Sequence, residues 1–594
     1  MSNVACLTEF VESLRTQVFR EAAHAREHIA KIWGAPLASR LLVGHAIEKV
    51  TVRSVQGQWV DLEIGDHEAL FREGDFLFWT ETGDPAHQPR AELVLEDDRG
   101  SHFVCRVRSG RSFLEPGKVG ILDYGYFDVS EFMKQALDHA LSTSKGRDRI
   151  LPLLDPQSPI ETHCNQGLDE EARQFAEAAG LNDAQTDALA MAWSTDTAAL
   201  VQGPPGTGKT AVLAALADLA VRKGKKVLVT GLTHRGIDNA MSAIQRRAQK
   251  SGVDLKLARV GAPTAGEGSI ANWDSFADCP WVDTGDGFVV GATPFCLMSG
   301  RLKGVEFDYS LFDEASQVHL PLAIMGMMEA QKWVFFGDHQ QLPPVLPTVP
   351  SEGKVHSSIF GFLQDRDFCV MLDTTYRLCD KLCEWPAEQF YDTEEVKLRP
   401  HPSVAKKRLV LSGTSSVPDQ VLDPAVPLVH IEVHDPLATT SSNVEANEVI
   451  RILEQAVLHG VKPEDLAVVT PFRRQNRAIR NLLRKRLGKA SEEIAVDTVE
   501  RMQGQEREMV IVSLTSGSDA FVERIAEFYF QPQRLNVAAT RARCKLVLVG
   551  RSDWSDLFER RPDLEEHGVK LADLLSRATK ITLGWTQETE KIVR

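Results

Sequence analysis

The sequence predicts an α/β protein built on two parallel sheets, with a small β-barrel carried on stalk helices ahead of them. Three observations predict it. After a connector near Leu151–Ser158, apolar runs alternate with helical patterns to about Gly550. Within that stretch the run Ala198–Val201 feeds a glycine-rich loop, and an apolar-periodic helix, Ala211–Val221, follows. Between Leu41 and about Phe127 the apolar period falls to two, as in Val50, Val52 and Val60, Leu62, Ile64. A chain of 594 residues with 43% hydrophobic content can bury several cores.

In chain order, Val4, Leu7, Val11, Leu14, Val18, Ala22, Ala25, Ile29 and Ile32 recur at spacings of three and four, which predicts one long amphipathic helix, a stalk over 1–40. Gly34-Ala35-Pro36 stops it. The barrel arm is expected over 41–127, with turns at Gln56-Gly57, Gly74-Asp75 and Asp98-Arg99-Gly100. Helical patterning over Val129–Leu141 supplies a second stalk, so 128–180 reads as stalk and connector, the stretch Leu151–Ser158 being polar and Pro-containing. The first sheet domain, 181–365, takes strands from the runs at Ala198, Lys226–Thr230, Phe288–Ala292, Tyr309–Phe312 and Trp333–Phe336. The second, 366–594, takes Leu466–Thr470, Met509–Leu514 and Lys545–Val549 and ends in a helical tail. Gly261–Gly287, rich in Gly, Asp and Ser, reads as a surface loop.

A net charge of −16 excludes a protein that coats nucleic acid by overall charge, but says nothing about a local groove. Arg473, Arg474, Arg477, Arg480, Arg484, Lys485, Arg486 and Lys489 gather positive charge in one helical segment, either a solvated face or a phosphate-contacting edge. No apolar run is long enough to cross a membrane, and Met1–Ala30 carries charges throughout, so a cytoplasmic, nucleoid or nuclear protein is expected rather than a secreted or membrane one. The nine cysteines are scattered, which predicts neither a disulfide framework nor a zinc site; Cys379 and Cys383 read as buried small hydrophobes on one helix face.

Chemistry concentrates in a few segments. Gly203-Pro204-Pro205-Gly206-Thr207-Gly208-Lys209-Thr210 is a phosphate-binding loop: glycines turn backbone N–H groups onto a triphosphate, Lys209 reaches the outer phosphates and Thr210 offers a hydroxyl to Mg²⁺. Asp313 and Glu314 end the apolar run Tyr309–Phe312, where Asp313 suits Mg²⁺ and Glu314 suits the attacking water; an acidic helix N-terminus is the alternative. Gly337-Asp338-His339-Gln340-Gln341 follows the next strand, and Gln341 is the candidate γ-phosphate sensor, since an amide both donates and accepts. Arg377 and Arg541 are candidates to neutralise the transferring phosphoryl group.

Taken in order, Leu181–Gln185, the phosphate loop, Asp313-Glu314-Ala315-Ser316, Gly337–Pro344, Tyr376-Arg377, Val496–Glu506 and Leu535–Arg543 resemble the motif set of the superfamily 1 helicases. The resemblance is to the 5′-to-3′ branch that includes the nonsense-mediated-decay, senataxin-type and immunoglobulin mu-binding helicases. It implies tandem RecA-like domains, ATP in the cleft between them, and single-stranded DNA or RNA lying across both. It also implies that Gln185 bonds the adenine edge, Tyr376 stacks on its face and Glu506 contacts the ribose. Thr233, Asn239, Thr293, Thr470, Arg473 and Thr498 match backbone-contacting stretches, though threonines in such places also cap helices. The barrel arm resembles the family's by pattern alone. No regulatory zinc domain and no nuclease cluster are recognised.

The expected activity is therefore an ATP- and Mg²⁺-dependent helicase or translocase on single strands, acting as a monomer. A competing expectation is an ATP-gated clamp or ribonucleoprotein remodeller that unwinds nothing. A phosphate-loop kinase or signalling NTPase leaves the paired arginines and the second sheet unexplained.

Overall fold

A computed structural model describes residues 2–65, 69, 71, 74–87, 90–98, 102–155, 161–261, 270–273, 275–281, 285–302, 304–344, 357–412, 420–433, 435–515 and 517–581. The first helix, Ser2–Gly34, is continuous and buries Leu7, Val11, Leu14, Val18, Ala22, Ile29 and Ile32 along one stripe. Its base packs with Ala136, Leu137 and Ala140 of a second helix, Ser130–Ser142. The 3–4 spacing of these apolar residues thus gives one long amphipathic helix.

Six strands, β1 (Ala46–Gln56), β2 (Trp59–Glu63), β3 (Phe76–Thr80), β4 (Ala91–Asp98), β5 (His102–Ser109) and β6 (Val119–Tyr124), close into a barrel in the order β1-β2-β5-β4-β3-β6. Alternate residues Val50, Val52, Val60, Leu62, Leu77, Trp79, Leu93, Leu95, Phe103, Cys105 and Leu122 fill it. A short helix, Leu37–Leu42, precedes β1 and carries Arg40, which forms a buried ion pair with Asp123 of β6. No sequence period announced that pair.

The first open sheet contains β7 (Ala198–Gln202), β8 (Lys226–Thr230), β9 (Leu257–Val260), β10 (Ala271–Trp273), β11 (Phe288–Gly291), β12 (Phe307–Phe312), β13 (Ala330–Gly337) and β14 (Cys369–Met371), in the order β10-β9-β11-β8-β12-β13-β7-β14. The strands from β10 to β7 pair in parallel. A separate parallel pair joins β15 (Thr374–Thr375) to β16 (Arg399–Pro400). The second open sheet is wholly parallel: β17 (Leu428–Glu432), β18 (Leu466–Thr470), β19 (Ala495–Thr498), β20 (Arg507–Ser513), β21 (Ala542–Gly550) and β22 (Thr579–Ile581), in the order β19-β18-β20-β21-β17-β22. These are RecA-like parallel-sheet domains preceded by a barrel.

Three expectations are corrected. Gly261–Gly287 is not only a surface loop: β10 extends the sheet and Phe276 is fully buried, though residues 262–269, 274 and 282–284 lie outside the described ones. The connector at Leu151–Ser158 is apolar where described, since Leu151, Leu153 and Leu154 enter the core; 156–160 lie outside the described residues. The tail is helical over Ser555–Arg560 and Glu565–Arg577 but does not end so: it returns as β22 against β17. Short strands such as β10, β14 and β22, three residues each, carry too few side chains to show a period.

The chain divides into two compact units. One comprises Met1–Gln202, Lys209–Asp338 and Pro343–Val370; the other comprises Gly203–Gly208, His339–Leu342 and Met371–Arg594. Among the described residues, no helix is long and apolar enough to cross a membrane.

Candidate functional site

In the first unit, β12, β13 and β7 are neighbours, so Asp313 and Asp338 follow the carboxyl ends of adjacent parallel strands, with Gln202 at the end of β7 paired to Gly337. Ligands of such sheets bind at that edge. Lys209 and Thr210 open the Lys209–Arg222 helix. Asp313 ends β12 with only 7% exposure, and its Oδ1 accepts from the Glu314 N–H at 3.0 Å. Burial, reinforced by the Glu314 charge and opposed by Lys209, holds the Asp313 carboxyl above the ordinary carboxylate range. A buried oxygen ligand reluctant to ionise alone is suited to a cation. Glu314 has left-handed backbone angles, φ 49° and ψ 42°, an uncommon conformation for a residue with a side chain. It precedes only the three-residue turn Ala315–Gln317, so an ordinary acidic helix start does not account for it.

In the second unit, the loop Gly203–Gly208 is braced through its carbonyls. Thr375 Oγ1 donates to Pro205 O at 2.7 Å and Tyr376 N–H to Gly206 O at 2.8 Å. Thr207 turns its own hydroxyl onto Pro204 O at 2.8 Å. Gly206 needs to be glycine: its φ is +75°, and a Cβ there would lie 2.3 Å from Arg377 Cβ. Gln341 is buried in the same unit, and its neighbour Gln340 accepts from Asn536 Nδ2 at 2.8 Å.

The two candidate arginines differ. Arg377 pairs with Glu506 and donates to Thr540 O at 3.2 Å. Arg543, absent from the sequence-based set, pairs with the other Glu506 oxygen. Burial would raise the Glu506 carboxyl, but these two guanidinium groups hold it below the ordinary range. Arg541 is 1% exposed; its Nε donates to Val537 O at 2.9 Å and its Nη1 to Gln505 O at 3.2 Å. The structure thus buries its guanidinium among backbone carbonyls and gathers Arg377, Glu506 and Arg543 instead. The signal for Arg543 lay in its place two residues after Arg541.

Gln185 closes a capping box at the Asp183–Ser194 helix: Asn182 N–H donates to its Oε1 at 3.2 Å, and Asn182 Oδ1 accepts from its N–H at 2.9 Å. Tyr376 is 39% exposed, and one face of its ring stacks on His401 with centroids 4.6 Å apart and 27° between planes. His401 had no sequence signal. Its N–H donates to Thr375 O at 2.8 Å, so backbone pairing brings the rings together.

The strand-binding candidates divide between capping and exposure. Thr233 caps the His234–Ser251 helix by accepting from Gly236 N–H at 3.1 Å, and Asn239 on that helix is exposed. Thr293 precedes the Pro294–Met298 helix with its Oγ1 3.5 Å from Cys296 Sγ. Thr470 is fully buried and bonds Phe472 O at 2.8 Å and Asn476 Oδ1 at 3.0 Å. Arg473 opens the Arg473–Leu487 helix and Thr498 ends β19, nearly buried. Arg259 of β9, also missed, is 1% exposed and ties the first two segments together. It donates to Asp238 Oδ1 at 2.8 Å, to His234 Nδ1 at 2.7 Å and to Gly291 O at 2.8 Å. Burial, with the Arg259 and Arg106 charges, lowers the His234 imidazole to about 3.

Two AAA domain families match the chain, one over residues 355–553 and the other over 180–274 and 286–348. The chain is 26% identical to the DNA replication ATP-dependent helicase/nuclease dna2 of Schizosaccharomyces pombe over 68% of its own length and 29% of that protein's. Against the Homo sapiens DNA replication ATP-dependent helicase/nuclease DNA2 it is 25% identical, covering 70% and 41%. Against the S. pombe DNA polymerase alpha-associated DNA helicase A it is 26% identical, covering 74% of each chain. It therefore spans well under two thirds of the first two relatives' length. An Arterivirus nonstructural protein 10 helicase structure aligns over 88% of this chain and 82% of its own, with TM-score 0.38 and 14% identity. With these family and relative matches spanning the motif-bearing segments already placed on the sheets, the chain belongs to the superfamily 1 helicases, in the branch of the nonsense-mediated-decay and senataxin-type enzymes.

Proposed function

We propose that the protein hydrolyses ATP to move 5′ to 3′ along single-stranded nucleic acid and to separate strands. The observation that carries this is the adjacent carboxylates of buried Asp313 and half-buried Glu314 at the end of β12, with Asp313 within electrostatic reach of Lys209 at the first turn after the phosphate loop. Gly203, Pro204, Pro205, Gly206, Thr207 and Gly208 cradle the phosphates, Gln185 and Tyr376 hold the adenine, and Glu506 orders the ribose side. Glu314 orients and deprotonates the attacking water, Gln341 senses the γ-phosphate and Arg377 neutralises the transferring group. Arg541 braces the Gln505–Glu506 turn through Gln505 O.

Thr210 and Asp313 offer hard oxygen donors of the kind Mg²⁺ prefers and are the residues that would hold it. Bound there, the ion supplies charge neutralisation on the outer phosphates. Thr233, Asn239, Thr293, Arg473 and Thr498 are assigned to the strand backbone. Contacts of that kind hold phosphates without reading bases, as a motor on any sequence requires. The domain assignment proposed is a stalk to about residue 40, the barrel to 127, a second stalk and connector to 180, and sheet domains over 181–365 and 366–594.

The test is ATPase turnover with and without matched single-stranded DNA and RNA oligomers, beside a strand-displacement assay. Stimulation with displacement is expected, and a Lys209→Ala protein loses turnover by about 10²- to 10³-fold, the scale for removing one charge-stabilising donor. An unstimulated rate, or full turnover in Lys209→Ala, overturns the reading. Stimulation without displacement leaves a clamp in place of a helicase.

A further inference from the structure

The Arg473–Leu487 helix follows β18 and contains seven basic residues and no acidic one, in a chain whose 83 acidic residues outnumber its 67 basic ones. Its inner side buries Gln475, Asn476, Ile479 and Leu483. At 100° per residue, Arg473, Arg474, Arg477, Arg484 and Lys485 gather around Asn481 on the opposite side. The helix's two other cations are paired, Arg480 with Asp497 at 3.6 Å and Arg486 with Glu454 at 3.9 Å. Arg474, Arg484 and Lys485 are exposed, and no ion pair holds them among the described residues.

Two physical points speak against a merely solvated face. Helices kept soluble by charge mix the signs, which lets i and i+4 neighbours attract; here like charges repel along the whole stripe. Basic residues also open the helix, at the end where the macrodipole favours anions, and its first turn contains no acidic residue. The stripe costs the helix stability, and an anionic partner removes that cost. From Arg474 to Lys485 it runs about 16 Å at 1.5 Å per residue, longer than the gap between neighbouring phosphates of a strand.

We infer that this stripe is a phosphate-backbone track that extends the strand-binding surface from Arg473 along the helix. The inference rests on the nucleic-acid reading above. It commits to a nucleic-acid backbone because the stripe begins at Arg473, already assigned to the strand, and because it presents charge without an apolar anchor. The track adds affinity and salt sensitivity without touching ATP chemistry.

The experiment compares the full-length protein with an Arg474→Gln/Arg484→Gln/Lys485→Gln variant by oligonucleotide titration across a salt series, with basal and stimulated ATPase alongside. A control variant, Arg246→Gln/Lys250→Gln/Lys462→Gln, removes the same charge from exposed positions elsewhere. The stripe variant is expected to bind single strands about 10- to 100-fold more weakly. Its log-log salt slope should be shallower by about 2, near 0.7 for each lost phosphate contact. Basal ATPase and the rate at saturating nucleic acid should stay unchanged, and the control should match the parent. An unchanged slope overturns the inference, as does an equal loss in the control, which reports overall charge. If the parent binds no nucleic acid, the functional reading has failed instead. A folding defect would show as lost basal ATPase; the single Lys485→Gln variant then carries the test, with an expected slope change of about 0.7.

Discussion

The segment from β7 through Asp313–Glu314 and the segment from Thr374 to Arg543 were assigned by similar arguments, yet the structure treats their charges differently. In the first, chemistry follows backbone geometry: a loop after one strand, two carboxylates after another, a helix start carrying Lys209. In the second, long cationic side chains choose their own partners. Arg377 and Arg543 share Glu506, while Arg541, two residues before Arg543, donates to the Val537 and Gln505 carbonyls. A guanidinium has five donors and a long reach, so its role is fixed by tertiary surroundings more than by its neighbours in sequence.

The largest expected effect tests that contrast directly. Arg377→Ala should lower turnover by about 10²- to 10³-fold with little change in melting temperature, the signature of an arginine acting on the transition state. Arg541→Ala should do the reverse. Losing charge-assisted bonds to Val537 O and Gln505 O costs about 3 kcal/mol, on the order of 6–12 °C in melting temperature for a unit of this size. Thermal unfolding and steady-state turnover on both proteins decide it. A stable, inactive Arg541→Ala protein would return that residue to the phosphates.

The same contrast explains what the sequence revealed. The long stalk, the barrel's alternation and the loop–carboxylate order depend on periods and spacings within a few residues, and all are legible. Arg259, His401 and the Arg40–Asp123 pair depend on contacts between segments far apart in the chain, and no local pattern carries them. The capping box at Gln185 was readable, since Asn182 and Gln185 stand three apart, but the same residues also match an adenine-reading motif. One side chain serves both readings: its carbonyl caps the helix, while the amide is the group assigned to the base.

A smaller effect separates buried polar networks from exposed ones through pH. His234 sits near a pKa of 3 in the fold, because burial and the Arg259 and Arg106 charges oppose protonation, against about 6.5 when unfolded. The unfolded chain therefore takes up the proton first. The stabilisation is complete above about pH 6.5 and is lost progressively as pH falls toward 3. His234→Asn keeps an acceptor for Arg259 but cannot titrate. Its stability should fall less steeply than the parent's between pH 6.5 and 5, by up to one proton in the unfolding linkage. Parallel curves from denaturant titrations across that range would remove His234 from the network.

The smallest effect concerns Tyr376, whose ring has one face on His401 and is otherwise 39% exposed. An aromatic pair of this kind contributes about 0.5–1.5 kcal/mol beyond its buried area. His401→Ala should therefore raise the KM for ATP about 2- to 10-fold by loosening the ring proposed to stack on the purine, with kcat within about twofold. His401→Phe keeps the stacked surface and should restore KM. The inhibition constant of inorganic tripolyphosphate should be the same in all three proteins, because it has no base to stack. If tripolyphosphate weakens in step with ATP, the defect lies in the backbone that His401 shares with Thr375, and through Thr375 with the Pro205 carbonyl, rather than in stacking.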